Sequence, residues 1–455
     1  NERSTRVGWK MFGYGESMPA RQWVEIDLQG LHPLDAIVLI PAAPPTLEAN
    51  EQVIGFPRRF RVDLEDEAGG RTLIGNFTGS DFPHPGVLPV FIPAHGTVAR
   101  RVRITLTKPW SRNLYHSYAF GEIMVLRGNR NLATGLRGVT VRTSGSVENA
   151  PAWSRKNLID GHSAVGAPLV KSEQPLAHGW ESARFSGASA TTWVQVDLGR
   201  IQPFDEVRLV PVRNADYAES QGYGFPKRFQ LQASNTATFA DSRILIDWTA
   251  TSVGDPAFAP ITIAGDGLPA RYVRVTAREL WQRNQDVFTF ALSELQVYHG
   301  DNNVARGASA AADSSCPSVG PNFNIAYVTD GLRGMSRFVE WPDWLRSLSR
   351  RREVLREIEI SSARLVAMQP GVLRTAGWTL GAALAVAIAV TALGFYRARR
   401  AQARAVVTLQ RQIAGDLHDE IGSNLASIAI LTELGQQRKS GLPADDAEEI
   451  GRLAT

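Results

Sequence analysis

The sequence predicts a multi-domain protein in which an all-β portion is followed by an α-helical portion. Two observations predict this fold class. A strand-rich pattern occurs twice before residue 300, and an uncharged apolar run near residue 385 is followed by helical periodicity. With 455 residues, the chain is long enough for two to four domains.

The composition is that of a folded protein, with 44% hydrophobic and 21% charged residues. The net charge of only +4 does not indicate a nucleic-acid partner. The single cysteine, Cys316, excludes an internal disulfide and a cysteine-based metal cluster. Because the chain begins at Asn1 and stops at Thr455 inside an expected helical hairpin, we expect it to be a piece of a longer protein.

One set of motifs occurs twice at a spacing of about 170 residues. WVEIDL at 23–28 recurs as WVQVDL at 193–198, and GFPRRFRV at 55–62 recurs as GFPKRFQL at 224–231. ARRVRIT, WSRN and GEIMVL then recur in the same order as ARYVRVT, WQRN and SELQVY. Five matches in one order indicate two copies of one domain.

Both copies have the pattern of short β-strands. WVQVDL and RYVRVT alternate apolar and polar residues, and Gly, Pro and Asn separate such runs. Many short strands with turn signals favour a sandwich or barrel. We place the copies at 1–130 and 131–300, with residues 301–340 as a partial third repeat or a linker.

The repeats resemble discoidin domains, also called coagulation-factor C-type domains, which are related to bacterial carbohydrate-binding modules. In the second copy the resemblance is carried by 157–161, 193–198, 225–229, 271–275 and 293–295. It implies an eight-stranded, jelly-roll-like sandwich whose loops at one end bind ligands. The first copy is truncated by this comparison, because no NxxDG element precedes its first strand. A further start at 303–307 and 329–331 breaks off, so it is either a stub that packs on the second domain or a linker.

By this resemblance, five residues fall in the ligand-binding loops: Arg213, Tyr217, Trp281, Arg283 and Asn284. An aromatic ring beside Arg and Asn suits a sugar, so the resemblance implies an extracellular glycan partner. The alternative is that Trp281 and its repeat partner Trp110 are packing residues retained by the duplication.

Discoidin-like domains also often hold a structural calcium ion near the start motif and a late glutamate. Asp160 and Glu294 match those two positions. Carboxylate oxygens suit calcium, and the resemblance therefore implies a calcium site at this pair. The alternative is a surface or capping role for either acid.

Residues 375–396 carry no charge and form a predicted transmembrane helix. At about 1.5 Å per residue the segment reaches roughly 33 Å, which is enough to cross a bilayer core of about 30 Å. Trp378 and Tyr396 lie near its ends, where such rings favour the membrane interface. The alternative is a buried, alanine-rich core helix.

Basic residues favour one orientation of this segment. Arg397, Arg399, Arg400 and Arg404 follow it, whereas only Arg364 and Arg374 precede it closely; the cluster at 350–352 lies further away and opposes the bias. The positive-inside tendency places the C-terminal side in the cytoplasm and residues 1–374 outside it, in the cell inner (plasma) membrane.

Residues 341–374 are predicted to form a helical stalk. Apolar residues recur there at helical spacing among many Arg and Glu, and Pro370-Gly371 is expected to break the helix before the membrane. The alternative is an amphipathic helix that packs on the last β domain.

Residues 397–455 are predicted to form part of a helical hairpin that dimerises. Apolar residues from Val406 to Leu431 recur in steps of three or four, which indicates a stripe that packs against another helix in a homodimer. Gly435 and 441–443 are expected to end the helix, and 445–453 to begin the returning one. His418 lies at the edge of the stripe.

The segment 413–422, IAGDLHDEIG, resembles the phosphoacceptor domain of bacterial sensor histidine kinases, in the branch related to nitrate and desaturase-regulating sensors. Gly415 stands where the branch usually has Arg. Ser423 stands where many members have a Gln linked to phosphatase activity, which puts that activity in doubt. The resemblance implies a protein histidine kinase whose ATP is bound by a domain downstream of this sequence, and a response regulator as partner.

The local chemistry suits this role. A neutral imidazole nitrogen of His418 can attack the γ-phosphate of ATP, while Asp419, or secondarily Glu420, orients the ring through its other nitrogen. The alternative for His418 is a solvated surface residue between acids. The alternative for the whole chain is a membrane-anchored carbohydrate-binding or adhesion protein whose cytoplasmic helix only dimerises.

Overall fold

The computed structural model describes residues 7–14, 21–43, 55–163, 165–174, 176–212, 222–256, 259–316 and 322–437. Residues 1–357 form one compact unit and residues 358–455 a second. The first unit contains two β-sandwich modules, which we call the first module (7–163) and the second module (165–340).

The first module is built from a large and a small antiparallel sheet. Its large sheet has seven strands in the order β4-β3-β5-β2-β8-β9, with β10 paired to β2, and its small sheet has the order β1-β7-β6. A four-residue helix, α1 (Leu132–Gly135), and a 3-10 helix (Arg155–Leu158) complete it. The strands are β1 (Trp9–Tyr14), β2 (Gln22–Ile40), β3 (Arg59–Glu65), β4 (Arg71–Phe77), β5 (Val90–Lys108), β6 (Trp110–Arg112), β7 (Tyr115–Phe120), β8 (Glu122–Arg127), β9 (Arg130–Asn131) and β10 (Thr140–Thr143).

The second module repeats this plan. Its large sheet has the order β15-β14-β16-β13-β20-β21, with β22 paired to β13; the smaller sheets are β12-β19, β17-β18 and β11-β24-β23. A 3-10 helix occupies Ile325–Thr329. The strands are β11 (Leu169–Lys171), β12 (Trp180–Glu181), β13 (Thr192–Val210), β14 (Arg228–Ser234), β15 (Arg243–Asp247), β16 (Ile261–Glu279), β17 (Trp281–Asn284), β18 (Val287–Thr289), β19 (Ala291–Leu292), β20 (Glu294–His299), β21 (Asn302–Asn303), β22 (Ser309–Ala312), β23 (Leu332–Arg333) and β24 (Ser336–Phe338).

Each module buries its own hydrophobic core between its sheets. In the first, Val24 and Ile26 alternate inward from β2 and are fully buried; in the second, Val194 and Val196 do the same from β13. Burying side chains of this size stabilises a fold by about 1.5–3 kcal/mol each. The period-two pattern of the repeated WV-x-V/I-DL motif therefore sets which face of each long strand is inside.

The segment 131–163 closes the first module, which corrects the predicted boundary at residue 130. Strand β10 pairs antiparallel with the first half of β2, from Thr140 opposite Asp27 to Thr143 opposite Val24, and Leu158 is buried in the first core. The NxxDG element that completes the first module is 157–161, which follows the large sheet in the chain. Its absence before the first strand therefore does not indicate a truncated module. The sequence shows the spacing of a repeat but not its phase.

Residues 303–331 close the second module in the same manner. Strand β22 pairs with β13, from Ser309 opposite Asp197 to Ala312 opposite Val194, and Val328 is buried in the second core. The segment is therefore neither the start of a third copy nor a linker, and it packs on the second module.

One helix, α2, extends from Trp341 to Gln437. The predicted break at Pro370-Gly371 is wrong, because the backbone is helical through both residues. A proline removes one backbone hydrogen bond and strains the preceding turn, but it need not end a long helix. Gly435 does not end the helix either, while 441–443 and 445–453 lie outside the described residues.

The first turns of α2 pack on the large sheet of the first module. Leu345 is fully buried among Ala36, Val38, Ile40, Met124 and Leu126, with Trp341 and Trp344 half-buried around it. Beyond these turns, apolar side chains such as Leu355, Ile358 and Leu365 are exposed. The helix thus begins as a packed helix, on the first rather than the last module, and continues with an exposed surface.

Asn129 joins both modules to the start of α2. Its backbone N–H donates to Asp301 Oδ1 (2.7 Å), its carbonyl accepts from Arg208 Nη2 (2.9 Å), and its side-chain Oδ1 accepts from the N–H of Trp341 (2.7 Å). Asn129 is buried, so these bonds replace water that the groups would otherwise bind. We call this set of contacts the Asn129 junction.

We expect Asn129→Ala to loosen the first turns of α2. The Trp341 N–H would lose its acceptor while remaining partly buried, at a cost of about 1–2 kcal/mol. Amide hydrogen exchange of residues 341–349 should accelerate by about five- to thirtyfold. Asn302→Ala, at an exposed asparagine of the equivalent turn, is the control and should exchange like the wild type. Equal exchange in both variants would contradict the role of the side chain.

Candidate functional site

A buried carboxylate, Glu181, organises one end of the second module. It accepts hydrogen bonds from the hydroxyl of Tyr223 (2.8 Å), from Arg283 Nη1 (3.1 Å) and from Thr289 Oγ1 (3.2 Å). The Glu181 side chain is fully buried and that of Arg283 is 17% exposed. A buried charge needs such partners, because its desolvation is otherwise costly. The three donors come from separate elements, so the carboxylate also fixes their relative positions.

Aromatic side chains surround this ion pair. The ring of Tyr223 lies 5.0 Å from Trp281 and 6.4 Å from Phe323, and the Arg283 guanidinium lies 5.9 Å from the Tyr223 ring. The centroid of the His178 ring lies 5.2 Å from that of Phe323, with the two ring planes tilted by 38°. Trp281 and Phe323 are half-buried and therefore both pack and present a surface. We call Glu181, Tyr223, Trp281, Arg283 and Phe323 the end cluster.

The structure brings together part of the predicted ligand site. Trp281 and Arg283 are neighbours on β17 and both belong to the end cluster. Asn284 ends the same strand, is exposed, and accepts a hydrogen bond from the Asp286 N–H (3.3 Å). Arg213 and Tyr217 lie outside the described residues.

Sequence reasoning missed Glu181, although a signal for it exists. The Gly-Trp pair at 8–9 recurs at 179–180, and this match sets Lys10 against Glu181. In the first module the Lys10 ammonium lies 4.5 Å from the ring of Trp153 and 6.0 Å from that of Phe12, and burial lowers its pKa. Because a lysine in the first module stands where the second module has a glutamate, the equivalent ends of the two modules differ in charge.

Asp160 and Glu294 do not meet, which corrects the predicted calcium pair. Asp160 lies beside Glu122 of the first module, and the Gly161 N–H donates to Glu122 Oε1 (3.1 Å). Glu294 lies beside Asp330, and the Gly331 N–H donates to Glu294 Oε1 (2.6 Å). Each closing segment therefore places its own Asp-Gly against the glutamate of the module that it completes.

The surroundings of both glutamates favour the protonated form of the carboxyl group. Burial, together with the neighbouring Asp160, raises the pKa of Glu122 well above its usual value. Burial raises the pKa of Glu294 in the same way, and its hydrogen bond with Asp330 adds to the shift. The second carboxyl oxygen of each glutamate, Oε2, is buried without a hydrogen-bond partner in the described structure.

These two acid pairs fit calcium only in part. The unpartnered Oε2 atoms are suitable hard ligands, but calcium takes about six to eight oxygens. Within the described ranges no cluster of three or more His, Cys, Asp or Glu is placed to hold a metal. Backbone oxygens or water would have to supply the remaining ligands.

The apolar run of α2 is exposed along its length. Within the described residues one helix is long and apolar enough to cross a membrane, in the stretch Arg374–Leu431. Leu380, Leu384, Val390 and Phe395 are each more than half exposed. The run is therefore not packed in a hydrophobic core of the described structure.

The backbone of His418, Asp419 and Glu420 lies within α2, as predicted for this segment. Their side chains lie outside the described part of the structure. Asp416 and Ile421, on either side, are exposed. The segment that resembles a phosphoacceptor motif is thus helical, and its chemistry stays a prediction.

No family model and no curated protein matches this chain. Solved structures with partial similarity include a Streptococcus pneumoniae fucose-binding module at 16% identity, covering 26% of this chain and 72% of that one, with a TM-score of 0.17. A fucolectin from striped bass (Morone saxatilis) serum is 14% identical over 64% of this chain and 85% of its own, with a TM-score of 0.18. Two CBM32 domains of Clostridium perfringens ZmpB, in complex with GalNAc, are 11% identical over 65% and 84%, with a TM-score of 0.19. Scores this far below 0.5 carry no conclusion about this chain, whose β-sandwich architecture rests on its own sheets and cores.

We expect stability to fall as pH rises above about 4.5, because Glu294 keeps its proton in the folded state and loses it in the unfolded state. The loss should approach about 1.4 kcal/mol per pH unit for this one group until the pH reaches its raised folded pKa. Glu294→Gln carries a neutral group at every pH and should flatten this part of the curve. Thermal unfolding of the full chain in detergent between pH 4 and 8 measures it, with Glu173→Gln at an exposed acid as the control.

The same proteins test calcium at the Glu294–Asp330 pair. If the ion binds there, millimolar calcium chloride should raise the unfolding temperature of the wild type at pH 7.5 and leave Glu294→Gln unchanged. An equal response in both proteins would show that calcium does not use this carboxylate.

Proposed function

We propose that the chain is the sensing, membrane-spanning and phosphoacceptor portion of a bacterial two-component sensor histidine kinase. One observation carries the proposal: the single helix α2 contains the turns packed on the first module, the apolar run 375–396 and His418. A change at the β modules therefore has a covalent and hydrogen-bonded path towards the motif that resembles a phosphoacceptor site.

A lipid bilayer is the proposed environment of 375–396. An uncharged run whose leucines and valines face outward is stable only where water is excluded. The arginines at 397–404 favour a cytoplasmic position for the C-terminal side, and the β modules then lie outside the cytoplasm. This arrangement gives the plasma membrane as the location.

The proposed reaction is phosphoryl transfer through His418. An imidazole nitrogen forms a bond to the γ-phosphorus of ATP, and the bond from phosphorus to the bridging oxygen of ADP breaks. Asp419 holds the other ring nitrogen and offsets the positive charge that develops on the ring. The phosphoryl group then passes to an aspartate of a response regulator, and a domain outside this sequence supplies the ATP.

A homodimer is the proposed assembly of the cytoplasmic segment. Val406, Leu409, Ile413, Leu425 and Ile428 lie at helical spacing and are each about half exposed in the single chain. A second copy of the same helix would bury this stripe in a helical bundle.

Glycan binding at the end cluster is the proposed input. A half-buried Trp281 beside Arg283 offers an apolar face and fixed donors, and Glu181 holds the guanidinium in place. The same observation supports the second candidate function, a membrane-anchored carbohydrate-binding or adhesion protein. The two functions differ in whether His418 is phosphorylated.

We expect His418→Ala to abolish phosphorylation. A histidine-kinase ATP-binding domain supplied separately, with radiolabelled ATP, should label the wild-type chain and leave the variant unlabelled. Asp419→Asn should slow labelling by about tenfold or more, because the ring loses the carboxylate that orients it.

His299→Ala, at a histidine of the second module, serves as the control and should be labelled like the wild type. Acid-labile and base-stable label identifies a phosphohistidine. Label retained in His418→Ala would refute the site, and an unlabelled wild type would favour the adhesion function.

Trp281→Ala is expected to weaken binding to a glycan array by at least tenfold, because the sugar would lose its apolar platform. Trp110→Ala makes the same change in the first module, where Lys10 replaces Glu181, and should bind the array like the wild type. Equal losses in both variants, or none, would contradict a ligand site at the end cluster.

A further inference from the structure

A cleft lies between the two modules, and none of its lining residues belongs to the end cluster. It has a volume of about 410 Å³, within the range of about 300–1,000 Å³ that is typical of small-molecule sites. The first module contributes its α1 and closing segment, and the second contributes the loop after β15 and the start of β16. The residues that matter for the argument are Thr134, Asp160, His162, Trp248, Thr251 and Ser252.

The lining combines an aromatic ring with short polar groups. Trp248 is half-buried, and its ring meets Phe229 edge-on at 5.2 Å, so the core of the second module fixes its position. Thr251 and Ser252 are exposed at the mouth. On the opposite wall, the His162 N–H donates to Asp160 Oδ1 (3.0 Å), and this turn sets the carboxylate in place.

The charge of the lining limits the ligand. Among the described residues that line the cleft, Asp160 is the one carboxylate and neither lysine nor arginine occurs. An anionic ligand would therefore meet the Asp160 carboxylate without a lysine or arginine in the lining to offset the repulsion. Hydroxyls, an imidazole, a carboxylate and an indole together match a neutral molecule that has many hydroxyl groups and an apolar face.

The two walls are held together beside the cleft. Arg137, which follows α1, pairs with Asp266 of the second module and also donates to the Leu245 carbonyl (3.0 Å). These contacts make the cleft a property of both modules together, because neither closes it alone.

We propose that this inter-module cleft binds a neutral saccharide of one or two rings, independently of the end cluster. Trp248 supplies the apolar contact. Asp160 and His162 accept or donate hydrogen bonds to ring hydroxyls from one module, and Thr251 and Ser252 do so from the other. The site requires neither the membrane segment nor phosphoryl transfer, so it stands whether or not the chain signals.

The experiment uses the full chain in nanodiscs and carries Trp281→Ala throughout, so that binding at the end cluster is weakened at least tenfold. Saturation-transfer NMR and titration calorimetry would measure binding of fucose, N-acetylgalactosamine, lactose and maltose, with galacturonate as an anionic comparison. We expect at least one neutral sugar to bind. Adding Thr251→Trp should fill the mouth and lower its affinity by at least tenfold, and Asp160→Asn should lower it by about threefold to tenfold.

Ser80→Trp is the matched control. The Phe82 N–H donates to the Arg58 carbonyl and the Val253 N–H to the Lys227 carbonyl, which makes Ser80 the exposed equivalent of Thr251 in the first module. Ser80→Trp should bind like the parent protein.

Three outcomes would overturn the proposal: no neutral sugar bound by the Trp281→Ala parent, equal affinity in Thr251→Trp and Ser80→Trp, or preference for galacturonate. In each of these cases, a loss of glycan-array binding in Trp281→Ala would still support the ligand site at the end cluster. The two proposals can therefore be refuted independently.

Discussion

The Asn129 junction is the constraint on which the arrangement of the first unit depends. The backbone N–H of buried Asn129 donates to Asp301, its carbonyl accepts from Arg208, and its side chain accepts from the first turn of α2. Arg208 is itself fixed by Glu206 and lies 4.1 Å from the Tyr298 ring. Because Asn129, Arg208 and Glu206 are buried, moving one module relative to the other would leave some of their polar groups without partners. The hydrogen bond to Trp341 positions the start of α2, and the packing of Leu345 on the first module adds an apolar contact there.

Duplication supplied this junction, and substitution made it asymmetric. Asn129 and Asp301 occupy equivalent turns, each following a glycine whose N–H donates to an aspartate, Asp35 in one copy and Asp205 in the other. The side chain of Asn129 accepts a hydrogen bond from the Trp341 N–H of α2, and the side chain of Asp301 accepts one from the Asn129 N–H of the first module. Lys10 and Glu181 differ in the same manner at the other end of the modules. Two copies of one sandwich can therefore have different partners without any change in strand order.

The sequence was sufficient for the features that depend on local pattern. Period-two alternation predicted the long strands, the repeat predicted two similar sheets, and the apolar run predicted that 375–396 is helical. It was insufficient where a tertiary partner decides the outcome. Strand β10 has the same pattern whether it pairs with β2 or with a later strand, so the repeat was assigned in the wrong phase. The Asp160–Glu294 pairing was wrong for the same reason. Glu181 was missed although the repeated Gly-Trp pair marks its position, because the repeat does not show that this acid is buried or which side chains it contacts.

A short series of neighbouring residues connects the inter-module cleft to the start of α2. Burial raises the pKa of Glu122, and the neighbouring Asp160, which lines the cleft, adds to this shift. Glu122 also accepts a hydrogen bond from the Gly161 N–H. Glu122 in turn lines a cavity of about 40 Å³, large enough for a few waters, whose walls include Glu206, Arg208 and Trp341. A ligand that changed the position or charge of Asp160 would therefore alter the electrostatics of groups that hold the first turn of the helix. Coupling of this kind requires a ligand that binds two arrangements of the junction with different affinities. Glu122 and Glu206 are buried, and in the part of the chain that the structure describes the Oε2 atom of each has no hydrogen-bond partner. Their energies would therefore differ between the two arrangements.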